Sequence, residues 1–153
     1  KNSLTQEFKE INTNEHKRSL RKILVVDDSK MQRKRICEFL QIQGYNTEEA
    51  GDGFEALKAA DKTNFSAFFV DIQMPLMDGY ELIENLRKSS SYKSTPVFVI
   101  SGGHVNKDNI LTRLQDLDVS NFYEKPVDLS SLLTELDIKL SVIKKDLQSE
   151  KEE

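Results

Sequence analysis

Three short apolar runs, each cut off by a polar residue, constrain this chain more than any other feature. Ile23-Leu24-Val25-Val26 runs into Asp27-Asp28, Ala67-Phe68-Phe69-Val70 into Asp71, and Pro96-Val97-Phe98-Val99-Ile100 into Ser101. Apolar runs of this length without polar alternation predict strands covered on both faces. Between them the apolar period becomes helical. Met31, Ile36, Phe39 and Leu40 follow Ser29, a good N-cap, and Gly44 offers a left-handed stop. Phe54, Ala56, Leu57, Ala59 and Ala60 form a small-residue helix after the Gly51-Asp52-Gly53 turn. Leu82, Ile83 and Leu86 follow Asp78-Gly79, and Ile110, Leu111, Leu114 and Leu117 make the next helical face. Tyr45 to Ala50 reads as a weaker strand. Residues 120–124 read as a fifth, stopped at Lys125-Pro126 because proline cannot donate to a ladder. A last helix begins near Asp128. Five strands alternating with five helices need crossover connections, so the expected fold is α/β with a parallel sheet and helices on both faces.

The alternation spans residues 22–137. Residues 1–21 form a polar leader in which Leu4, Phe8 and Ile11 are the sparse apolar positions. It is expected to be flexible rather than an amphipathic turn or two. Residues 138–153 are expected to extend the last helix. Leu129, Leu133, Leu136, Leu140, Ile143 and Leu147 repeat at spacings of four and three, a heptad seam. A helix over 128–148 would be about 31 Å long, against strands of about 20 Å. Its end is therefore expected to overhang as a short coiled coil, serving a homodimer contact or a link to an output domain.

Charge and composition narrow the function. The first 22 residues hold six basic and three acidic side chains, yet the whole chain carries −4, so its middle is acidic. That argues against nucleic-acid binding by this domain, which would need a basic face. No run of apolar residues is long enough for a membrane helix. One cysteine, Cys37, excludes a disulfide framework, and two histidines leave little for a zinc centre. The first residue is Lys1, which suggests a processed or excised segment, and the polar start does not look like a signal peptide. A reducing cytoplasm is the expected compartment.

In an open parallel sheet the C-terminal ends of the strands share one edge, and ligands bind there. Asp27, Asp28, Asp71, Ser101 and Lys125 all fall at such ends. Taken singly, each has a bland reading as a cap, turn or solvent-facing group; their joint placement does not. Two carboxylates about 4 Å apart repel by about 4 kcal/mol at an effective dielectric of 20. Something positive must sit among three of them, or some must protonate. Oxygen-only ligands without histidine point to a hard cation, Mg²⁺. Such an ion, Lys125 and the Ser101 hydroxyl could each grip one oxygen of a phosphoryl group in transfer. Asp71, alone at the end of its strand, is the candidate acceptor, and the adjacent Asp27 and Asp28 suit the metal.

The run Ile23 to Ser29 resembles the first strand of a response-regulator receiver domain. Val70-Asp71-Ile72-Gln73-Met74-Pro75-Leu76-Met77-Asp78-Gly79 resembles that family's phosphorylation segment almost letter for letter, and Pro96 to Ser101 and Lys125-Pro126 resemble its last two signatures. The resemblance covers about residues 22 to 140. It implies a flavodoxin-like sheet of order 2-1-3-4-5, and a domain that is a phosphorylation-driven module of two-component signalling rather than an enzyme with turnover. Asp71 would receive a phosphoryl group from a histidine kinase or phosphotransfer protein. Asp28, Asp71 and the Gln73 backbone carbonyl would bind Mg²⁺ directly, and Asp27 through water. Lys125 would pair with the phosphoryl group, Ser101 would move toward it, and Phe122 matches the aromatic switch position. Phe122 has a rival reading as ordinary strand packing, with Tyr123 beside it as a competing ring. The face made by the fourth helix, fifth strand and fifth helix of the domain would carry the signal. Gly102 departs from the usual alanine, Gly103 has no side chain, and Asp118 stands where glycine usually ends a helix. Gln73 and Gly103 occupy positions that tune dephosphorylation.

Three other functions compete. A magnesium-dependent phosphatase with an aspartate nucleophile would carry a second acid two residues after it, where this chain has Gln73. A flavin protein of the same fold would carry a Ser/Thr/Gly-rich loop after the first strand, where this chain has Asp27-Asp28-Ser29-Lys30. A degenerate receiver acting only through contacts would not keep the acids and the lysine.

Overall fold

The computed structural model describes residues 3–102 and 106–144. In chain order the elements are α1 (Ser3–Ser19), β1 (Lys22–Val26), α2 (Lys30–Ile42), β2 (Asn46–Ala50), α3 (Gly53–Lys62), β3 (Ala67–Asp71), α4 (Gly79–Lys88), β4 (Val97–Ser101), α5 (Lys107–Leu114), β5 (Asn121–Glu124) and α6 (Leu129–Lys139). The strands form one parallel sheet in the order β2-β1-β3-β4-β5. The expected fold is therefore found, with a sixth helix, α1, ahead of the first strand.

Burial explains the unbroken apolar runs. Every residue of β3 and β4 is buried, because helices cover both faces. One layer gathers Leu24, Val26, Phe68, Val70, Val97 and Val99 with α3, α4 and α5. The other gathers Ile23, Val25, Phe69, Phe98 and Ile100 with α2 and α6. The helices start where short polar side chains can accept from free amides. Ser29 accepts from the Gln32 amide at 3.4 Å, Asp52 from Glu55 at 2.8 Å and Asp78 from Glu81 at 2.9 Å. Gly44 follows α2 at φ +105°. Met31 departs from its predicted inward face and is 79% exposed, since it sits in the first turn of α2, beyond the edge of the core.

Two expectations about the ends of the chain are overturned. The leader is not loose: Ser3–Ser19 is one helix, mostly exposed but anchored at its C-terminal end by Arg18 and Arg21. Nor does the last helix run to 148. It ends at Lys139, and Ser141 takes a left-handed φ of +60°. The Val142 and Ile143 amides then return to the Asp137 carbonyl. The described part of the heptad stripe is consumed inside the domain: Leu136 and Leu140 are buried, and Leu129, Leu133 and Ile143 pack against the same layer. The apolar alternation of Leu132 and Val142, off the seam, shows why: the stripe is wide enough to face a core rather than a second helix. Leu147 and Gly103 lie outside the described residues.

Arg87 secures the loop before β5. Its guanidinium donates to four carbonyls, those of Leu117, Tyr92, Thr95 and Asp118, at 2.7–2.9 Å. This hold explains how Asp118 keeps a φ of +52° where glycine would be easier. Arg87→Met is expected to cost about 3 kcal/mol in urea unfolding, because part-buried carbonyls lose their donors at once.

Candidate functional site

The register of the sheet brings the strand ends together. Val26 lies beside Ala50 and Val70, so Asp27 and Asp71 each stand one step further along neighbouring strands. Asp71 pairs with Ile100, which puts Ser101 one step beyond it on β4. Ser101 pairs with Glu124, and the Lys125 amide donates to the Ser101 carbonyl at 2.8 Å. The edge therefore collects all five predicted residues.

Oxygens of Asp27, Asp28 and Asp71 lie within 4.8 Å of one another. Asp27 and Asp71 are 1% and 2% exposed, whereas Asp28 is exposed. Lys125 Nζ reaches Asp27 Oδ2 at 3.0 Å and Asp71 Oδ2 at 3.4 Å, bridging the two buried acids. The other oxygens are held by backbone: Asp27 Oδ1 accepts from the Ser29 amide at 2.8 Å, and Asp71 Oδ1 from the Gln73 amide at 3.3 Å. Burial, then the charge of Asp27, raises the Asp71 carboxyl to about 7, against the pull of Lys125 and the Gln73 amide. Burial lowers the Lys125 ammonium, but Asp27 and Asp71 outweigh it and hold the group above its ordinary value.

The donor set fits a hard divalent cation. It is oxygen-only, three-membered and contains two buried carboxylates. Asp27 Oδ2 touches Lys125 ionically, yet it is a buried oxygen that accepts no well-aligned hydrogen bond among the described residues. One lysine cannot neutralise three carboxylates.

The loop after β3 is folded tightly over this edge. The Ile72 amide donates to the Ile100 carbonyl at 3.1 Å and the Gly79 amide to the Ile72 carbonyl at 2.9 Å. A Cβ on Gly79 would stand 2.6 Å from the Asp71 carbonyl oxygen, so only glycine lets α4 begin there. Gln73 is exposed at the loop's start, and with Asp28, Met74, Tyr80 and Arg113 it lines a groove of about 760 Å³ leading from the acids. Ser101 is fully buried, its hydroxyl donating to the Gly102 carbonyl at 3.4 Å.

Phe122 and Tyr123 point to opposite layers. Phe122 is half-buried against the layer of α4 and α5, and Tyr123 packs with Phe98 on the side of α6. The Tyr123 hydroxyl is buried and makes no well-aligned hydrogen bond among the described residues. Arg33 was not anticipated. It donates to the Asp27 carbonyl at 2.7 Å and pairs with Glu49 at 3.1 Å, bracing the acidic turn. Its place one turn after Ser29 was the available signal.

A family model described as the response regulator receiver domain matches residues 23–137. The protein named "Probable transcriptional regulator ycf29" of Pyropia yezoensis is 34% identical over 113 residues, which are 74% of this chain and 50% of that protein. Protein PilG of Pseudomonas aeruginosa is 34% identical over 114 residues, 73% of this chain and 82% of its own. The chain thus spans about half the length of the first of these curated relatives. Among solved structures, chemotaxis protein CheY4 of Vibrio cholerae has a TM-score of 0.70 at 32% identity, covering 76% of this chain and 96% of that one.

Proposed function

We propose, because this chain belongs to the response regulator receiver family, that Asp71 accepts a phosphoryl group from a histidine kinase or phosphotransfer protein. The carrying observation is the bridge of Lys125 between two buried carboxylates at the end of the central strands. A carboxylate oxygen of Asp71 bonds to the phosphorus of a phosphohistidine as the phosphorus–nitrogen bond breaks. The electron pair leaves with the imidazole, which keeps its neutral form by taking a proton from solvent. Lys125 is already placed to follow the charge from the carboxylate to the new phosphoryl oxygens. Ser101, buried on the next strand, has its hydroxyl beside the same edge and can turn from the Gly102 carbonyl to a phosphoryl oxygen.

Asp27, Asp28 and Asp71 would hold Mg²⁺, with the Gln73 carbonyl completing the set. The ion would supply a second positive charge against the phosphoryl oxygens. Water hydrolyses the acyl phosphate and restores Asp71, so the domain is a switch and not an enzyme with turnover of its own. The readout would be the α5–β5–α6 face, with Phe122 at its centre, presented to an output domain or effector in the cytoplasm. The acidic middle of the chain argues against nucleic acid as a partner of this domain, and no described helix is long and apolar enough to cross a membrane.

The test is direct. Incubated with Mg²⁺ and acetyl phosphate, the intact chain is expected to gain the mass of one phosphoryl group, and Asp71→Asn to gain none. Modification of Asp71→Asn to the same extent would refute the assignment, and sustained turnover of phosphoesters would favour the phosphatase.

A further inference from the structure

The helix ahead of the matched family region meets the edge of the sheet opposite Asp71. Arg18 of α1 grips Asp137 of α6 with a fork: Nε donates to Oδ1 at 3.1 Å and Nη2 to Oδ2 at 2.7 Å. Its Nη1 donates to the Gln43 carbonyl at 3.1 Å. Arg21 donates to the Leu140 carbonyl at 3.2 Å, and Asn46 to the Ser19 carbonyl at 2.6 Å. Asp137 is 2% exposed, and among the described residues its one other side-chain partner is the Tyr45 hydroxyl. Without α1, a buried carboxylate would keep a single neutral donor, which is costly. Among the described residues Asp137 supplies the one ion pair that holds α1 to the domain; the other ties are hydrogen bonds to backbone carbonyls, Lys17 Nζ to Val142 at 3.5 Å among them. None of the residues of α1 is buried, and a lone helix of 17 residues is marginal in water.

The other end of α6 follows closely on Lys125, the lysine that contacts Asp71. Asp128 caps α6 three residues after Lys125, and Arg35 ties the intervening Val127 carbonyl to α2 at 3.1 Å. The 11 residues of α6 make a rod about 16 Å long. One end of that rod follows Lys125, and the other carries the partner of Arg18.

We propose that α1 is a strap latched by Arg18 to Asp137, and that its docking is coupled through α6 to the modification of Asp71. The proposal rests on the phosphoacceptor reading above. Lys125 now sits between Asp27 and Asp71; a phosphoryl group on Asp71 draws the ammonium outward and with it the start of α6. A forked ion pair tolerates little displacement, so a shift of α6 changes the hold on α1. Coupling of this kind is reciprocal at equilibrium: whatever loosens the strap also shifts the balance between modified and unmodified Asp71.

Hydrogen exchange of the full chain, read by mass spectrometry before and after acetyl phosphate with Mg²⁺, tests this. Arg18→Met is expected to speed exchange of α1 by about tenfold while β1 and β3 keep their rates. Arg18→Lys, which keeps the charge and loses the fork, is expected to fall between. In the wild type, modification is expected to change exchange of α1 by about fivefold, a change absent from Arg18→Met. Equal exchange of α1 in modified and unmodified wild type would overturn the coupling and make the pair a fixed brace. Protection of α1 unaltered in Arg18→Met would overturn the latch. A chain that gains no phosphoryl mass removes the phosphoacceptor reading and the coupling built on it, which the intact mass distinguishes from the other two failures.

Discussion

Lys125→Met will slow phosphoryl gain at Asp71 by about two orders of magnitude, followed as intact mass against time with acetyl phosphate and Mg²⁺. The ammonium stands 3.0 Å from Asp27 and 3.4 Å from Asp71, with no other basic side chain in ionic contact with either acid among the described residues. Methionine keeps much of the stem's volume but removes the charge that, in the proposed reaction, would follow the transferred oxygens. It also leaves two buried carboxylates facing each other. At about 4 Å and an effective dielectric of 20 their repulsion is about 4 kcal/mol, so Asp71 will hold its proton to still higher pH. The rate should therefore fall most near neutrality and recover partly as pH rises. An unchanged rate would remove Lys125 from the chemistry.

The second large effect is on stability. With chelator present, the protein is expected to lose stability as pH rises from about 4 through 7. The folded Asp71 carboxyl titrates at about 7, above its unfolded value of 3.8. Between those values the native state binds the extra proton, so the slope of stability with pH is negative. Below 4 both states are protonated and the difference vanishes; above 7 the full penalty is present, about 4 kcal/mol as an upper figure. Urea unfolding across this range should show the fall in the wild type and a much flatter line in Asp71→Asn. Added Mg²⁺ should raise stability at pH 8 more than at pH 5, because binding favours the ionised native site. A wild-type curve parallel to that of Asp71→Asn would overturn the assignment of the slope to Asp71.

The strands and the acidic edge could be read because their signals are local. An apolar run that stops at Asp27 or Asp71 records burial on both faces and the polar end together, and the sheet's parallel register then aligns those ends without further information. The misreadings share the opposite property. Arg18 and Asp137 stand 119 residues apart, and nothing near either says that they meet. Ser3–Ser19 docks on the domain through that meeting and a few backbone carbonyls, which its polar composition does not announce. The heptad of the last helix was real, but periodicity alone does not say whether a stripe faces a sheet or a second helix. Only the left-handed turn at Ser141, a residue with no special propensity for it, decides where the helix stops. Arg87 was invisible for the same reason: its four partners are backbone oxygens, which no side-chain pattern announces.

The placement of Phe122 and Tyr123 has a consequence for the edge of the sheet. β5 is four residues long and donates one ring to each layer, Phe122 to the α5 side and Tyr123 to the α6 side. A slip of one residue against β4 would send every side chain of β5 to the opposite layer, taking both rings from the packing each now makes. The outermost strand therefore has a single tolerable alignment, despite having a neighbour on one flank alone. Its shortness limits how much backbone it offers to foreign chains, and its paired aromatics keep that little backbone from wandering.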